Sequence, residues 1–367
     1  MPENRNTTLD RSCFEILRAF FPNREILSCE PFGNGHINDT YRIRTGGTGE
    51  ENAFVLQRIN RKVFTNPPAL MENVCAVTSW IAGKIAAEGG DVRREVLTFL
   101  PAADGRFFYR DPEGEYWRVS LLIEGADCFE TAQNEDIFYQ SALAFGRFQR
   151  QLADFPAKNL CEVIPGFHNT PVRCQAFEAS VKRDAAGRAG AVSEEIRFLT
   201  ERKALSGRLM QALAEGTLPL RVTHNDTKLN NVMIDRATRK ALCVLDLDTV
   251  MPGLSATDFG DAIRFGASTA AEDEPDLSKV HFDRHLYDVY RDGFIEGCGG
   301  ALTAKELAML PDGAMVITYE QALRFLADYL DGDVYYKTSR PGQNLDRART
   351  QIRLLQEMEA SLKNGEE

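Results

Sequence analysis

The chain has 367 residues, 43% of them hydrophobic and 26% charged, enough for a sizeable core spread over about two domains or one large bilobal unit. Its 43 basic and 54 acidic residues leave a net charge of −11, and no basic run is dense enough to make it a nucleic-acid binder. The eight cysteines are scattered without a CxxC pair, which argues against a disulfide framework or a zinc site. No stretch approaches the ~18 apolar residues of a membrane span, and the polar start Met1-Pro2-Glu3-Asn4 lacks the apolar core of a signal peptide. A cytoplasmic protein, acting as a monomer away from membranes, is the expectation.

Cys13, Ile16, Leu17, Phe20 and Phe21 fall at helical spacing over residues 9–21, and Pro22 ends the pattern. A strand from Ile26 runs into a loop with Gly33 and Gly35, followed by an alternating strand at Tyr41–Arg44, a Gly46-Gly47 hairpin tip and a strand at Ala53–Gln57. Strand, glycine loop, strand, hairpin, strand suits the roof of a nucleotide site, although Gly33-x-Gly35 alone is equally a turn and lacks the third glycine of a dinucleotide fold. Residues 67–88 read as a helix, and Phe107–Tyr109 and Tyr116–Ile123 as further strands. The composition turns helical from Asn134, where Phe138, Ala142, Phe145, Phe148, Gln149 and Leu152 share one face. This places a lobe boundary at residues 122–127: a β-rich lobe over 1–121 and a helix-rich lobe over 128–367, with a small-molecule cleft between them. A loop with Gly166, His168 and Pro171 leads to one long helix at about 193–216, and the end of the chain is amphipathic through Leu345, Ala348, Ile352, Leu355 and Leu362.

The chemistry concentrates in Thr223-His224-Asn225-Asp226-Thr227-Lys228-Leu229-Asn230-Asn231 and, beyond a hairpin, Leu245-Asp246-Leu247-Asp248. Phosphoryl transfer from a metal–nucleotide complex needs a carboxylate to receive a hydroxyl proton, plus an amide and a second carboxylate for Mg²⁺. Asp226 suits the first role, and Asn231 and Asp246 the second. Lys228 is placed to meet the transferring phosphoryl group. Asp and Asn are also common turn formers. His224 two before Asp226, Lys228 two after, and a strand ending in Asp246-Leu247-Asp248 set this loop apart from an ordinary turn. Asp258 and Asp261 read as braces for the loop or as helix caps. His281 and His285 have zinc-protease spacing, but Phe282 stands where the glutamate should be, which removes that reading.

His224 to Asn231 resembles the catalytic loop of the protein-kinase-like fold as used by aminoglycoside phosphotransferases and choline kinases, and Leu245 to Asp248 resembles their metal-binding segment. Val222 to Asn231, Asp246 to Gly253, Asp258 through Ser268, and Arg324 to Leu330 further resemble the N-acetylhexosamine 1-kinase branch of that family. The resemblance covers nearly the whole chain. It implies an α+β, bilobal fold with an interlobe ATP cleft, a small β-rich N-lobe and a larger helical C-lobe. It also implies transfer of phosphate from ATP, with Mg²⁺, to the anomeric hydroxyl of N-acetylglucosamine or N-acetylgalactosamine. Asp226 would be the base, and Asn231 and Asp246 the metal ligands. His36, Arg324 and Tyr335 would grip the sugar. Gly33 and Gly35 would cover the nucleotide, while Leu122, Ile123 and Glu124 would form a hinge offering backbone groups to adenine.

Two points stay open at this stage. Protein kinases hold the phosphates with a lysine on the third strand; here Val55-Leu56-Gln57-Arg58 offers Gln57 or Arg58, or the metal does the work, and Glu72 is a candidate for the partner helix acid. Arg324 is equally suited to a surface ion pair with Asp328, Asp331 or Asp333. The rivals are the same fold acting on an aminoglycoside, choline, homoserine or methylthioribose, and a catalytically dead kinase-like binding protein.

Overall fold

A computed structural model of the chain describes residues 11–33, 37–47, 52–132 and 134–362. They divide into two units: the described residues within Met1–Ala126 together with Leu242–Asp248, and those within Asp127–Ala241 and Thr249–Glu367. No helix among the described residues is long and apolar enough to cross a membrane.

The first unit is built on an antiparallel sheet. Its path is β1 (Ile26–Pro31), β2 (Asp39–Thr45), β3 (Ala53–Ile59), β6 (Tyr116–Leu121) and β4 (Phe99–Leu100), with the short β5 (Tyr109–Arg110) also pairing with β6. The side-chain period of two gives the sheet two distinct faces. Phe54 and Leu56 of β3 and Trp117 and Val119 of β6 join Ile16, Leu17, Phe20 and Phe21 of helix α1 (Arg11–Phe20) and its C-terminal turn in one buried cluster. Helix α2 (Pro67–Ala87) starts at Asn66, whose side chain accepts the Ala69 amide, with proline in its first turn, a cap worth about 1 kcal/mol. It buries Leu70, Met71, Val74, Val77, Ile81 and Ile85, while Glu72 points to solvent. One turn of helix, α3 (Val92–Glu95), and the two-residue β7 (Ala126–Asp127) complete this stretch of chain.

The second unit is helical. Its helices are α4 (Glu135–Gln151), α5 (Thr170–Arg183), α6 (Ser193–Glu201), α7 (Lys203–Ala214), α8 (Ser255–Gly266), α9 (Arg284–Cys298), α10 (Ala304–Ala308), α11 (Leu310–Asp331) and α12 (Gln343–Leu362). Two of these correct the sequence reading. Helix α5 was missed; Asn169 caps it with Pro171 in the first turn, a start signal that the loop reading of Gly166–Pro171 passed over. The single helix at 193–216 is two, broken at Arg202, whose side chain turns to Glu359 and lies over Phe198. Helix α11 packs against α5, α7, α8 and α12, so the amphipathic end of the chain is used within its own unit. Contact with α8 is close: a Cβ on Gly260 would meet the Gly313 carbonyl oxygen at 2.3 Å. Strands β8 (Arg221–Thr223) and β11 (Met251–Gly253) pair antiparallel, Thr223 opposite Met251. Between them in sequence, β9 (Val232–Asp235) ends in a turn closed by the Asp235 amide on the Lys240 carbonyl, and β10 (Ala241–Val244) follows.

Candidate active site

The loop after β8 is held by acids from helix α8. Asp258 accepts the His224 amide at 2.9 Å and the Asn225 amide at 2.8 Å, and Gln149 of α4 donates to it at 2.9 Å. Asp261 accepts the Thr227 amide at 3.1 Å, and the Thr227 hydroxyl donates to the Asp258 carbonyl at 2.5 Å. Asn225 takes a left-handed backbone, φ 66°, a conformation that asparagine tolerates better than most residues; its side chain donates to the carbonyls of Thr223 and Thr249. His224 is fully buried, edge-on to Phe145 and Phe148, and its Nδ1 accepts the Asp226 amide at 3.3 Å. Both residues expected to brace the loop therefore do so, through backbone amides that would otherwise lack partners.

What this bracing presents is the Asp226 carboxylate, a quarter of its side chain accessible. Lys228 Nζ lies 2.8 Å from Asp226 Oδ1, and the Asn231 amide donates to both the Asp226 carbonyl (2.8 Å) and Oδ2 (3.0 Å). Burial opposes ionisation of Asp226, but the charge and hydrogen bond of Lys228, with His224 and Asn231, outweigh it and hold the carboxyl below its usual range. Lys228 is displaced upward, burial being outweighed by Asp226 and Asp261. Burial pushes Asp258 up against the opposing pull of His224 and its backbone donors.

For a metal, the relevant observation is the orientation of Asn231. Its Nδ2 is spent on Asp226, so the amide oxygen, a hard ligand suited to Mg²⁺, is turned away from that carboxylate. Asp246 belongs to the first unit and sits at φ 52°, a strained backbone for a residue with a Cβ and one that clusters at functional positions. Among the described residues no group of three or more His, Cys, Asp or Glu side chains could hold a metal; an amide, a carboxylate and nucleotide oxygens make a different set.

Arg324, on α11, forms none of the three surface ion pairs weighed for it. Asp331 pairs with Arg183 and Asp333 with Arg188, while Asp328 accepts the amides of Val334, Tyr335 and Tyr336. The guanidinium instead lies among aromatic rings: Tyr336 at 5.5 Å, Phe167 at 5.8 Å and Tyr335 at 6.0 Å. The Asp328 carboxylate thus shapes the turn that brings both tyrosines to Arg324, and Tyr335 stays 71% exposed. Glu320, one turn earlier on α11, fixes the Phe167 loop by accepting the Thr170 hydroxyl and contacting His168 Nδ1 at 2.9 Å. Phe167 and Asn225 border the same cavity, about 130 Å³ in volume. Burial raises Tyr336 to about 12, and the charges acting on it include Arg324 and Arg264. Arg264 is also the ion-pair partner of Asp261, which accepts the Thr227 amide. Phe167 and Tyr336 escaped the sequence reading, which took Asp328 for an ion-pair partner of Arg324; only the resemblance drew attention to this helix.

In the first unit, Gly33 takes φ 77° with open space around it, as the glycine loop requires; Gly35 and His36 lie outside the described residues. Leu122 donates its amide to the Ala53 carbonyl, and the Glu124 carbonyl accepts from Arg94, so those two groups are already used within the sheet and its flank. Ile123 is buried. Glu72 is exposed and Arg58 pairs with Asp39, which corrects both candidates for the kinase-type lysine–glutamate pair. Gln57 is half-buried and accepts a hydrogen bond from Arg118.

A β-sheet unit carrying a glycine loop, followed by a helical unit carrying an Asp–Asn loop braced from a neighbouring helix, defines the kinase-like fold. Residues 28–292 match the model of the phosphotransferase enzyme family (APH), and the chain belongs to that family. Solved structures similar in fold include a microcompartment-associated aminopropanol kinase, at 18% identity and a TM-score of 0.59 over 95% of this chain and 96% of that one. A choline kinase from Cryptosporidium parvum aligns at 12% identity and 0.55 over 93% and 91%. A GDP complex of aminoglycoside 2'-phosphotransferase-IIIa aligns at 13% and 0.57 over 95% and 98%. At these identities the likeness is one of fold.

Proposed function

We propose that this chain transfers the γ-phosphoryl group of ATP to the anomeric hydroxyl of an N-acetylhexosamine, giving the sugar 1-phosphate and ADP. Mg-ATP supplies the phosphoryl group and, through the cation, neutralises its charge. The chain's own residues do the rest. Asp226, held ionised and accessible, orients the sugar hydroxyl and receives its proton; a hemiacetal hydroxyl is more acidic than an ordinary alcohol, so one carboxylate suffices. Asn231 fixes the carboxylate by donating to it, which leaves its amide oxygen free to serve as a metal ligand; Asp246 is the other metal ligand that the family resemblance implies. Lys228 meets the transferring phosphoryl group as a point charge.

The observation that carries the substrate class is the Arg324 cluster. Choline and similar ammonium substrates call for aromatic rings open to a cation, but here the ring faces already surround a guanidinium. A second positive charge would be repelled. A neutral ring bearing hydroxyls and an acetamido carbonyl gains from the guanidinium donors and can stack on the exposed Tyr335. The test is an ADP-release screen of N-acetylglucosamine, N-acetylgalactosamine, choline, ethanolamine and kanamycin. Turnover is expected with an N-acetylhexosamine alone, and Arg324→Met should lower its kcat/KM by ~10–100-fold while leaving the KM for ATP within about twofold. Turnover of choline or kanamycin without the sugars would overturn the substrate class, and binding of Mg-ATP with no turnover of any acceptor would restore the inactive binding protein.

A further inference from the structure

The third-strand position that holds lysine in protein kinases holds Gln57, and register places Arg118 of β6 directly opposite it. Cross-strand neighbours of this kind lie ~5 Å apart, within reach of a long side chain. Alternation puts Gln57 and Arg118 on the face opposite the Phe54–Leu56–Trp117–Val119 cluster. Arg118 Nε donates to Gln57 Oε1 at 3.0 Å, and Gln57 Nε2 donates in turn to Thr40. Arg118 Nη1 meets Asp248 Oδ1 at 2.5 Å, and Asn38, just past the glycine loop, donates to Asp248 Oδ2 at 2.6 Å. The arginine and aspartate side chains are 4% and 2% exposed.

Helix α2 supplies no acid here. Met71 sulfur lies 3.8 Å from Arg118 Nη1, and Glu72 faces solvent. A buried ion pair is a poor stabiliser, because desolvating each charge costs several kcal/mol that the pairing at best offsets. Such a pair two residues beyond Asp246, with its arginine beside the vacated lysine position, therefore calls for a role other than stability. We propose that Arg118 is the cation that anchors the nucleotide phosphates, shifted one strand from its usual place, with Gln57 as spacer and Asp248 as counter-ion in place of a helix glutamate. Nε and Nη1 are committed to that scaffold, and Nη2 makes no hydrogen bond among the described residues, which leaves it for a phosphate oxygen. Asp248 is then a positioning residue, not a metal ligand.

The inference rests on the phosphotransferase reading, and calorimetric titration with Mg-AMP-PNP and with adenosine separates the two. Arg118→Met should weaken Mg-AMP-PNP by at least ~10-fold and leave adenosine within about threefold, whereas Arg118→Lys should keep most of the affinity. Gln57→Lys in the Arg118→Met background should recover part of it. Because Arg118→Met strands a buried carboxylate, the double variant Arg118→Met/Asp248→Leu removes both charges and should show the same selective loss. Equal losses for both ligands, or none for either, would remove Arg118 from the phosphate site. A wild-type protein that fails to bind Mg-AMP-PNP at all would instead sink the phosphotransferase reading.

Discussion

In the second unit Asp258 and Asp261 hold main chain, whereas in the first unit the Arg118–Asp248 pair holds side chains. Asp258 accepts two consecutive loop amides and Asp261 a third, so the shape of the Asp226 loop depends on the carboxylates of helix α8. The Arg118–Asp248 pair reaches Gln57, Asn38, Met71 and the Phe99 ring through side-chain atoms. The difference teaches where substitutions should hurt folding and where they should hurt ligand binding alone. An acid bonded to backbone cannot be removed without orphaning amides, each costing ~1–3 kcal/mol. A side-chain pair can be replaced as a unit at little cost to the fold.

The largest effect is expected at Asp258. Asp258→Ala strips the His224 and Asn225 amides of their acceptor together with the Gln149 bond, and should lower stability by about 3 kcal/mol as well as abolish turnover, read by chemical denaturation beside an ADP assay. Gln149→Met should do the same on a smaller scale. A variant at Asp258 that kept wild-type stability while losing activity would erase the contrast between the units.

The smallest effect is a pH dependence. Asp226 is held below its usual range and Lys228 above it. By linkage, a lowered carboxyl contributes stability that is present above its unfolded value of about 3.9 and lost as pH falls through the folded one; a raised lysine contributes stability present below about 10.4 and lost as pH rises through its folded value. The stability difference between wild type and Asp226→Asn should therefore hold steady from about pH 5 to 9 and shrink toward pH 3. A difference that grew on acidification would mean Asp226 is protonated in the folded state.

Much of this was legible in the chain. Hydrophobic spacing found α1, α2 and α4, alternation found β2 and β3, and the polar run from Thr223 to Asn231 marked the loop that the acids at 258 and 261 brace. Local pattern failed where a tertiary partner decides. The helix breaks at Arg202, whose side chain bonds Glu359, 157 positions away in sequence, and Asp328 reads as an exposed acid until its turn of three amides is seen. Arg118 looked like one polar residue within a strand; its meaning comes from Asp248, 130 residues on, and from the neighbouring Gln57 across the sheet.

The central claim is that Asp226 receives the proton of a sugar anomeric hydroxyl. Phosphorus NMR of N-acetylglucosamine or N-acetylgalactosamine with Mg-ATP, followed in wild type and Asp226→Asn, tests it most directly. The account predicts an anomeric sugar-phosphate signal in the wild type that the substitution slows at least ~10²-fold. Equal rates in the two proteins, or phosphate appearing on another hydroxyl, would contradict it.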